Sequence, residues 1–155
     1  MPKTHQYQLH TEWTGNLGKG TANYHAYDRS YKITINQKIT IEGSSDPAFR
    51  GDRTKHNPEE LLLASLSSCH MLWYLHLCAE AKITVLAYTD TATATMIETV
   101  TGGGAFNEAH LHPTVVIAEE GKLEKAIALH QKANALCFIA NSVNFKVFHH
   151  PTCST

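Results

Sequence analysis

Asn57-Pro58-Glu59-Glu60-Leu61-Leu62-Leu63-Ala64-Ser65-Leu66-Ser67-Ser68-Cys69-His70 opens the most apolar run of the chain and decides how the rest is arranged. Asn57 is an N-cap acceptor, and Pro58 suits the first helical position, where no N–H is needed. Glu60 stands three residues after the cap, so its carboxylate can return to the Asn57 N–H as a capping box. This spacing predicts a helix from Pro58 to about Glu80. Leu61, Leu62, Leu63, Leu66, Met71, Leu72, Trp73, Leu75 and Leu77 fall on every side of it, and a helix apolar all round has to be covered all round. Two subunits packed together supply that cover more easily than one small domain. Ser65, Ser67, Ser68, His70 and His76 interrupt the run, which argues against a membrane span.

Upstream, Tyr7 to Trp13 alternates apolar and polar residues at the period of a half-buried strand. Gly15 to Gly20 reads as a turn, and Tyr31 to Ile35 and Lys38 to Glu42 read as a hairpin, which makes the N-terminal third a β-meander. Gly43 to His56 is rich in turn formers and predicts a long loop carrying Arg50 and Arg53. Downstream, Ile83 to Val100 and Ala105 to Ala118 read as paired strands joined through Gly102-Gly103-Gly104, with Pro113 marking a bulge or an edge. A second helix is expected from about Lys122 to Ala140, with Leu123, Ala126, Ile127, His130, Ala133 and Cys137 on one stripe. A last short strand runs from Phe145 to His149. Strands and helices are segregated, so the fold class is α+β, with one domain over residues 1–155.

Of the 155 residues 43% are hydrophobic and 17% charged, the balance of a globular protein. Thirteen Lys plus Arg against 14 Asp plus Glu, all scattered, leave no electrostatic footprint for nucleic acid or an anionic membrane. The first residues carry no apolar signal segment, so a cytoplasmic location is expected, where the four cysteines are mostly thiols and any disulfide is transient. Among 11 histidines, His110 and His112 share a strand face, yet no acidic or cysteine partner stands at ligand spacing, so no metal site is expected. His149-His150 reads as a surface doublet and His70 as a core or interface residue.

Cys69 and Cys78 are nine residues apart on the first helix, on opposite faces and roughly 13 Å apart along its axis, so they cannot be bridged. Cys153 lies near a terminus expected to fray. By residue type alone Cys69 reads first as a small buried hydrophobe and second as a reactive thiol, an order that the following resemblance reverses. The Asn57-Pro58-Glu59-Glu60-Leu61 run, the small residues after it and Cys69 resemble the signature of the OsmC/Ohr hydroperoxide reductases. Ala135-Leu136-Cys137-Phe138-Ile139-Ala140-Asn141-Ser142-Val143 resembles the segment holding that family's second cysteine. Trp13-Thr14-Gly15 and Gly18-Lys19-Gly20-Thr21 extend the resemblance over nearly the whole chain. Where many relatives have Cys-Pro, this chain has Cys137-Phe138, so the helix need not begin at the cysteine.

The resemblance implies sheets packed around two central helices in an intertwined homodimer. It implies a thiol peroxidase in which the Cys69 thiolate attacks a hydroperoxide, becomes a sulfenic acid and is captured by Cys137 as a disulfide. It also implies an arginine beside the sulfur, held by Glu59; Arg50 lies nearest the expected position and Arg53 is the alternative. Glu59 and Cys69 are ten residues apart, roughly 15 Å on a straight helix, so either the helix breaks or one residue comes from the partner subunit. The apolar flank of Cys69 favours organic hydroperoxides, and the family implies a dithiol reductant such as a lipoyl group, with no cofactor. A second reading is an OsmC-like small-molecule binding or redox-sensing protein.

Overall fold

The computed structural model describes residues 1–155, which form two compact units, Met1–Leu61 and Leu62–Thr155. The first unit is the expected meander: β1 (His10–Trp13), β2 (Tyr31–Thr34) and β3 (Ile41–Gly43) pair antiparallel in sequence order. The alternation begins at Tyr7, but pairing starts at His10, which stands opposite Thr34, the last residue of β2. Gly43 faces Tyr31, and a Cβ there would lie 2.2 Å from the Tyr31 ring, so only glycine lets the tyrosine lie across the strand. The long loop contains one 3-10 turn, Pro47–Phe49, capped by the Asp46 carboxylate and ended by Arg50 in the left-handed region at φ 65°. Its far end returns to the sheet through the Ser44 N–H, which donates to the His56 carbonyl at 2.9 Å.

The helix α1 (Pro58–Glu80) begins as its sequence dictates. The Glu60 N–H donates to Asn57 Oδ1 at 2.8 Å, and the Asn57 N–H donates back to Glu60 Oε2 at 3.3 Å. By length and composition α1 could cross a membrane. Leu66, His70, Tyr74 and Leu77, spaced four, four and three residues apart, are instead buried as one stripe in the core of a globular unit.

The second unit adds β4 (Val85–Asp90), β5 (Thr93–Glu98), β6 (Gly104–Leu111), β7 (Pro113–Ile117), α2 (Leu123–Leu136), β8 (Lys146–His149) and β9 (Thr152–Ser154). These six strands make two sheets, ordered β4-β7-β9 and β5-β6-β8. Each sheet takes one strand from each of three chain segments, and the segments change sheet at Thr91-Ala92, His112 and His150-Pro151. The Asp90 carboxylate secures this corner: Oδ1 accepts the His112 N–H at 2.7 Å, and Oδ2 accepts the Ser67 hydroxyl of α1. β7 buries Pro113, Val115 and Ile117, and Tyr74, Leu77, Cys78, Ile83, Ala126 and Ala133 pack with Val115 and Ile117 into the core.

Four sequence expectations change. Pro113 marks neither a bulge nor an edge; it is the first residue of the central strand of its sheet, where a missing N–H is tolerated. The second helix stops at Leu136, because Cys137 turns to an extended ψ of 113°. Cys153 is not frayed: β9 pairs parallel to β7 and sets Cys153 against the core. His149-His150 is not a surface doublet, because strand alternation turns His149 inward and leaves His150 exposed.

His149 joins His70 and His130 inside the second unit. His70 Nε2 and His130 Nδ1 share a hydrogen bond at 2.9 Å, the His130 ring lies on Tyr74 with centroids 3.8 Å apart, and the His149 ring is 5.7 Å from that of His70. Burial, then neighbouring His149, lowers His70 from the ordinary 6.5 to about 4, against an opposing pull from Asp90. Burial, then His70 and His149, lowers His130 to about 3. His149 is lowered too, by burial and by His150. With folded values below the unfolded one, the unfolded chain takes up protons first as pH falls. Stability is therefore full above pH 6.5 and is lost below it, toward about pH 4, by up to ~1.4 kcal/mol per pH unit for each histidine. Urea unfolding at pH 7 and pH 5 measures this; equal stability at both contradicts the account.

Candidate active site

Cys69 sits on α1 between buried Leu66 and His70 and is itself half-buried. The serines around it do not break the helix: the Ser65 hydroxyl donates to the Leu62 carbonyl at 2.6 Å and that of Ser68 to the Ala64 carbonyl at 2.7 Å. Of the two ways to reconcile Glu59 with Cys69, the broken helix is therefore excluded, since α1 runs unbroken from Pro58 to Glu80.

Cys137 ends the buried stripe of α2, following Ala126, His130 and Ala133. The chain leaves the helix there and coils into a 3-10 turn, Ala140–Ser142. The Ala140 N–H points at Cys137 Sγ at 3.4 Å, and the Asn141 N–H donates to the Cys137 carbonyl at 3.0 Å. A turn thus starts at the cysteine without a proline after it. The Cys69 and Cys137 side chains are close neighbours, near enough for each thiol to act on the other, and both are free thiols. Burial first, then the neighbouring Cys69 thiol, pushes the Cys137 thiol well above the usual range, and the Ala140 and Ile139 N–H groups offset only part of that. Cys137 is consequently held as a neutral thiol beside Cys69.

The other two cysteines lie away from this pair. Cys78 is fully buried on the opposite face of α1, and Cys153 lies on β9; burial raises both thiols.

Glu59 stands in the first turn of α1, within the first unit. Its Oε2 is buried without a hydrogen-bond partner, and it makes no ion pair with any residue of the chain. Burial, with the Glu59 charge second, raises the Tyr31 phenol. Arg50 is exposed, and its guanidinium lies 5.9 Å from the Tyr24 ring rather than on a carboxylate; Arg53 is exposed as well. Arg29 is the guanidinium tied down in this unit, donating to the Tyr27 and Tyr24 carbonyls at 2.6 and 2.7 Å. The structure therefore brings Cys69 and Cys137 together and joins Glu59 to neither Arg50 nor Arg53 within one chain.

Two features near the thiols escape sequence reading. The His70–His130 bond links the residue after Cys69 to a residue two turns before Cys137. Trp73, one turn beyond Cys69, meets the Phe138 ring edge-on at 5.6 Å. The stripe ending in His130 and Cys137 was visible as a period; its partner on α1 was not.

The model of the OsmC-like protein family matches residues 51–149, more than half the chain and including both Cys69 and Cys137. No curated protein matches in sequence. Among solved structures, an OsmC-like protein of unknown function from Vibrio cholerae is similar with a TM-score of 0.87 and 26% identity, over 96% of this chain and 100% of that one. An organic hydroperoxide resistance protein from Elizabethkingia anophelis matches with a TM-score of 0.69 and 21% identity over 99% of each chain. Another from Legionella pneumophila matches with a TM-score of 0.70 and 17% identity over 99% of this chain and 100% of that one. At these last identities the likeness is one of fold.

Exposure and burial together predict the order in which the thiols react. With iodoacetamide at pH 7, half-buried Cys69 is expected to alkylate before the buried Cys78 and Cys137, as followed by peptide mass spectrometry. Labelling of Cys78 or Cys137 ahead of Cys69 would contradict the burial of these thiols.

Proposed function

The chain belongs to the OsmC-like family, and from that membership and its paired thiols we propose that it is a thiol peroxidase for organic hydroperoxides. The observation that carries the reading is the contact between half-buried Cys69 and neutral, buried Cys137. In the proposed cycle the Cys69 thiolate attacks the distal peroxide oxygen and the O–O bond breaks. The alcohol leaves as the alkoxide takes a proton, and Cys69 becomes a sulfenic acid. The Cys137 sulfur then displaces the hydroxyl, which leaves as water, and the Cys69–Cys137 disulfide forms. A dithiol such as a lipoyl group, the reductant known in the family, returns both cysteines to thiols. The chemistry uses no metal and no cofactor, and the free thiols suit a reducing, cytoplasmic setting.

The working unit is proposed to be a homodimer. Only Leu66, His70, Tyr74, Leu77 and Cys78 of α1 are buried, and Leu72 is 62% exposed, so apolar helix surface is left for a second copy. Glu59, roughly 15 Å along α1 from Cys69, reaches a thiol only if it serves the partner subunit's site. Its buried, unpartnered Oε2 suits a guanidinium, and Arg50 is proposed to provide it, aligning the peroxide and favouring the Cys69 thiolate. Arg53 is the alternative source.

Reduced protein mixed with tert-butyl hydroperoxide is expected to form the Cys69–Cys137 disulfide rapidly. Arg50→Ala is expected to slow the oxidation of Cys69 by about 10- to 100-fold, the loss of one charged hydrogen bond. Mass spectrometry of quenched samples reads both. An unaffected Arg50→Ala with a slow Arg53→Ala would move the role to Arg53. Slow oxidation without the disulfide would leave an OsmC-like fold used for binding.

A further inference from the structure

The segment that carries Cys137 is anchored at Leu136 and Cys137, which lie against the core, but just beyond them it has no regular structure until Ala140. α2 ends at Leu136, Cys137 is extended, and the 3-10 turn begins only at Ala140. Within the segment the Ser142 hydroxyl donates to the Phe138 carbonyl at 2.7 Å, and the Asn141 side-chain amide donates to the Ala135 carbonyl at 3.0 Å. These bonds shape the turn, but they tie it only to itself and to the end of α2. Phe138 is 68% exposed, so core burial does not account for an aromatic residue there. Its one aromatic contact is Trp73 on α1, edge-on at 5.6 Å with the rings 78° apart. Trp73 is four residues after Cys69 and therefore on the same helix face, one turn away. The two thiols and the two rings form two parallel rungs between the same segments, Cys69 to Cys137 and Trp73 to Phe138.

We propose that Phe138 and Trp73 are positioning residues, an aromatic clamp that holds the Cys137 segment against α1 so that its sulfur stays within reach of Cys69. The inference rests on the peroxidase reading for its physiological meaning, but the geometry it asserts does not depend on that reading. The clamp acts on the second chemical step alone. Attack of the Cys69 thiolate on the hydroperoxide needs neither ring, whereas displacement of hydroxyl from the Cys69 sulfenic acid needs the Cys137 sulfur in line with the S–O bond. Loosening the segment lowers the effective concentration of Cys137 at Cys69 and lengthens the life of the sulfenic acid. His76, whose ring meets that of Trp73 edge-on at 5.8 Å and whose Nε2 lies 3.4 Å from Glu80 Oε1, adds a contact on the helix side of the clamp.

The test compares wild type with Phe138→Ala, Phe138→Tyr, Trp73→Leu and the Phe138→Ala/Trp73→Leu pair. With cumene hydroperoxide, dimedone trapping of the sulfenic acid against disulfide formation separates the two steps. Phe138→Ala is expected to leave the first step within twofold and to slow the second about 3- to 10-fold, the range of one aromatic contact. Phe138→Tyr restores the rate, and the double variant is no slower than the slower single one. A merely structural role would lower thermal stability and both steps together. The same variants equilibrated in a glutathione redox buffer, where oxidised glutathione takes up the two electrons, report the ease of the Cys69–Cys137 disulfide without any peroxide. Phe138→Ala is expected to make that disulfide about 3- to 10-fold less favourable there. Unchanged values in both experiments overturn the clamp. Failure of Cys69 to react with hydroperoxide, with the glutathione shift intact, overturns the peroxidase reading and leaves the clamp standing.

Discussion

One hydrogen bond between two buried imidazoles joins the helices that carry the thiols. His70 follows Cys69 on α1 and His130 lies two turns before Cys137 on α2, so their 2.9 Å contact sets how far apart the two helices run where it matters. It is an expensive tie. An N–H···N bond between neutral rings uses one donor and one acceptor and leaves His70 Nδ1 and His130 Nε2 buried without partners, at about 1–3 kcal/mol each. Tyr74 stacked on His130 offsets part of that cost, and His149 lies beside His70 with its ring tilted 40°. Apolar side chains would pack the same space more cheaply, but they would allow the helices to slide. A directional bond fixes the register from which Cys69 and Cys137 meet.

The sheets serve the same end. Three chain segments bend from one sheet into the other at a shared corner, and Asp90 ties that corner to α1 through Ser67. The inward face of β8 supplies His149 to the histidine cluster, and β9 returns along β7 to support the core behind α1. The helix that bears Cys69 is thus held at a polar corner and along an apolar stripe, while apolar side chains such as Leu72 stay exposed.

Much of this was legible in the chain. The capping box at Asn57 and Glu60 forms as its spacing dictates, because every partner lies within one turn. The meander and the α+β order follow from alternation over several residues each. What was not legible depends on neighbours distant in sequence. Thr152–Ser154 is too short to show a period and becomes a strand only because β7 has a free edge beside it. The second helix looked longer than it is, since nothing in Leu136-Cys137-Phe138 marks the change to extended backbone. Strand alternation already implied that His149 and His150 point opposite ways, and their adjacency obscured it. At the site, the stripe ending in Cys137 was visible, whereas the His70–His130 bond and the Trp73–Phe138 contact exist only once α1 and α2 are placed side by side. Glu59 meets neither Arg50 nor Arg53 within one chain, so no spacing along the sequence could pair them.

The account stands on two of the chain's four thiols acting as one redox unit. The most direct measurement is to titrate reduced protein with limiting cumene hydroperoxide and count free thiols in denaturant alongside the alcohol produced. The account predicts one alcohol per chain as the thiols fall from four to two, with no further loss at a modest excess of peroxide. A fall of one thiol per alcohol, a continued fall past two, or no loss at all would contradict it.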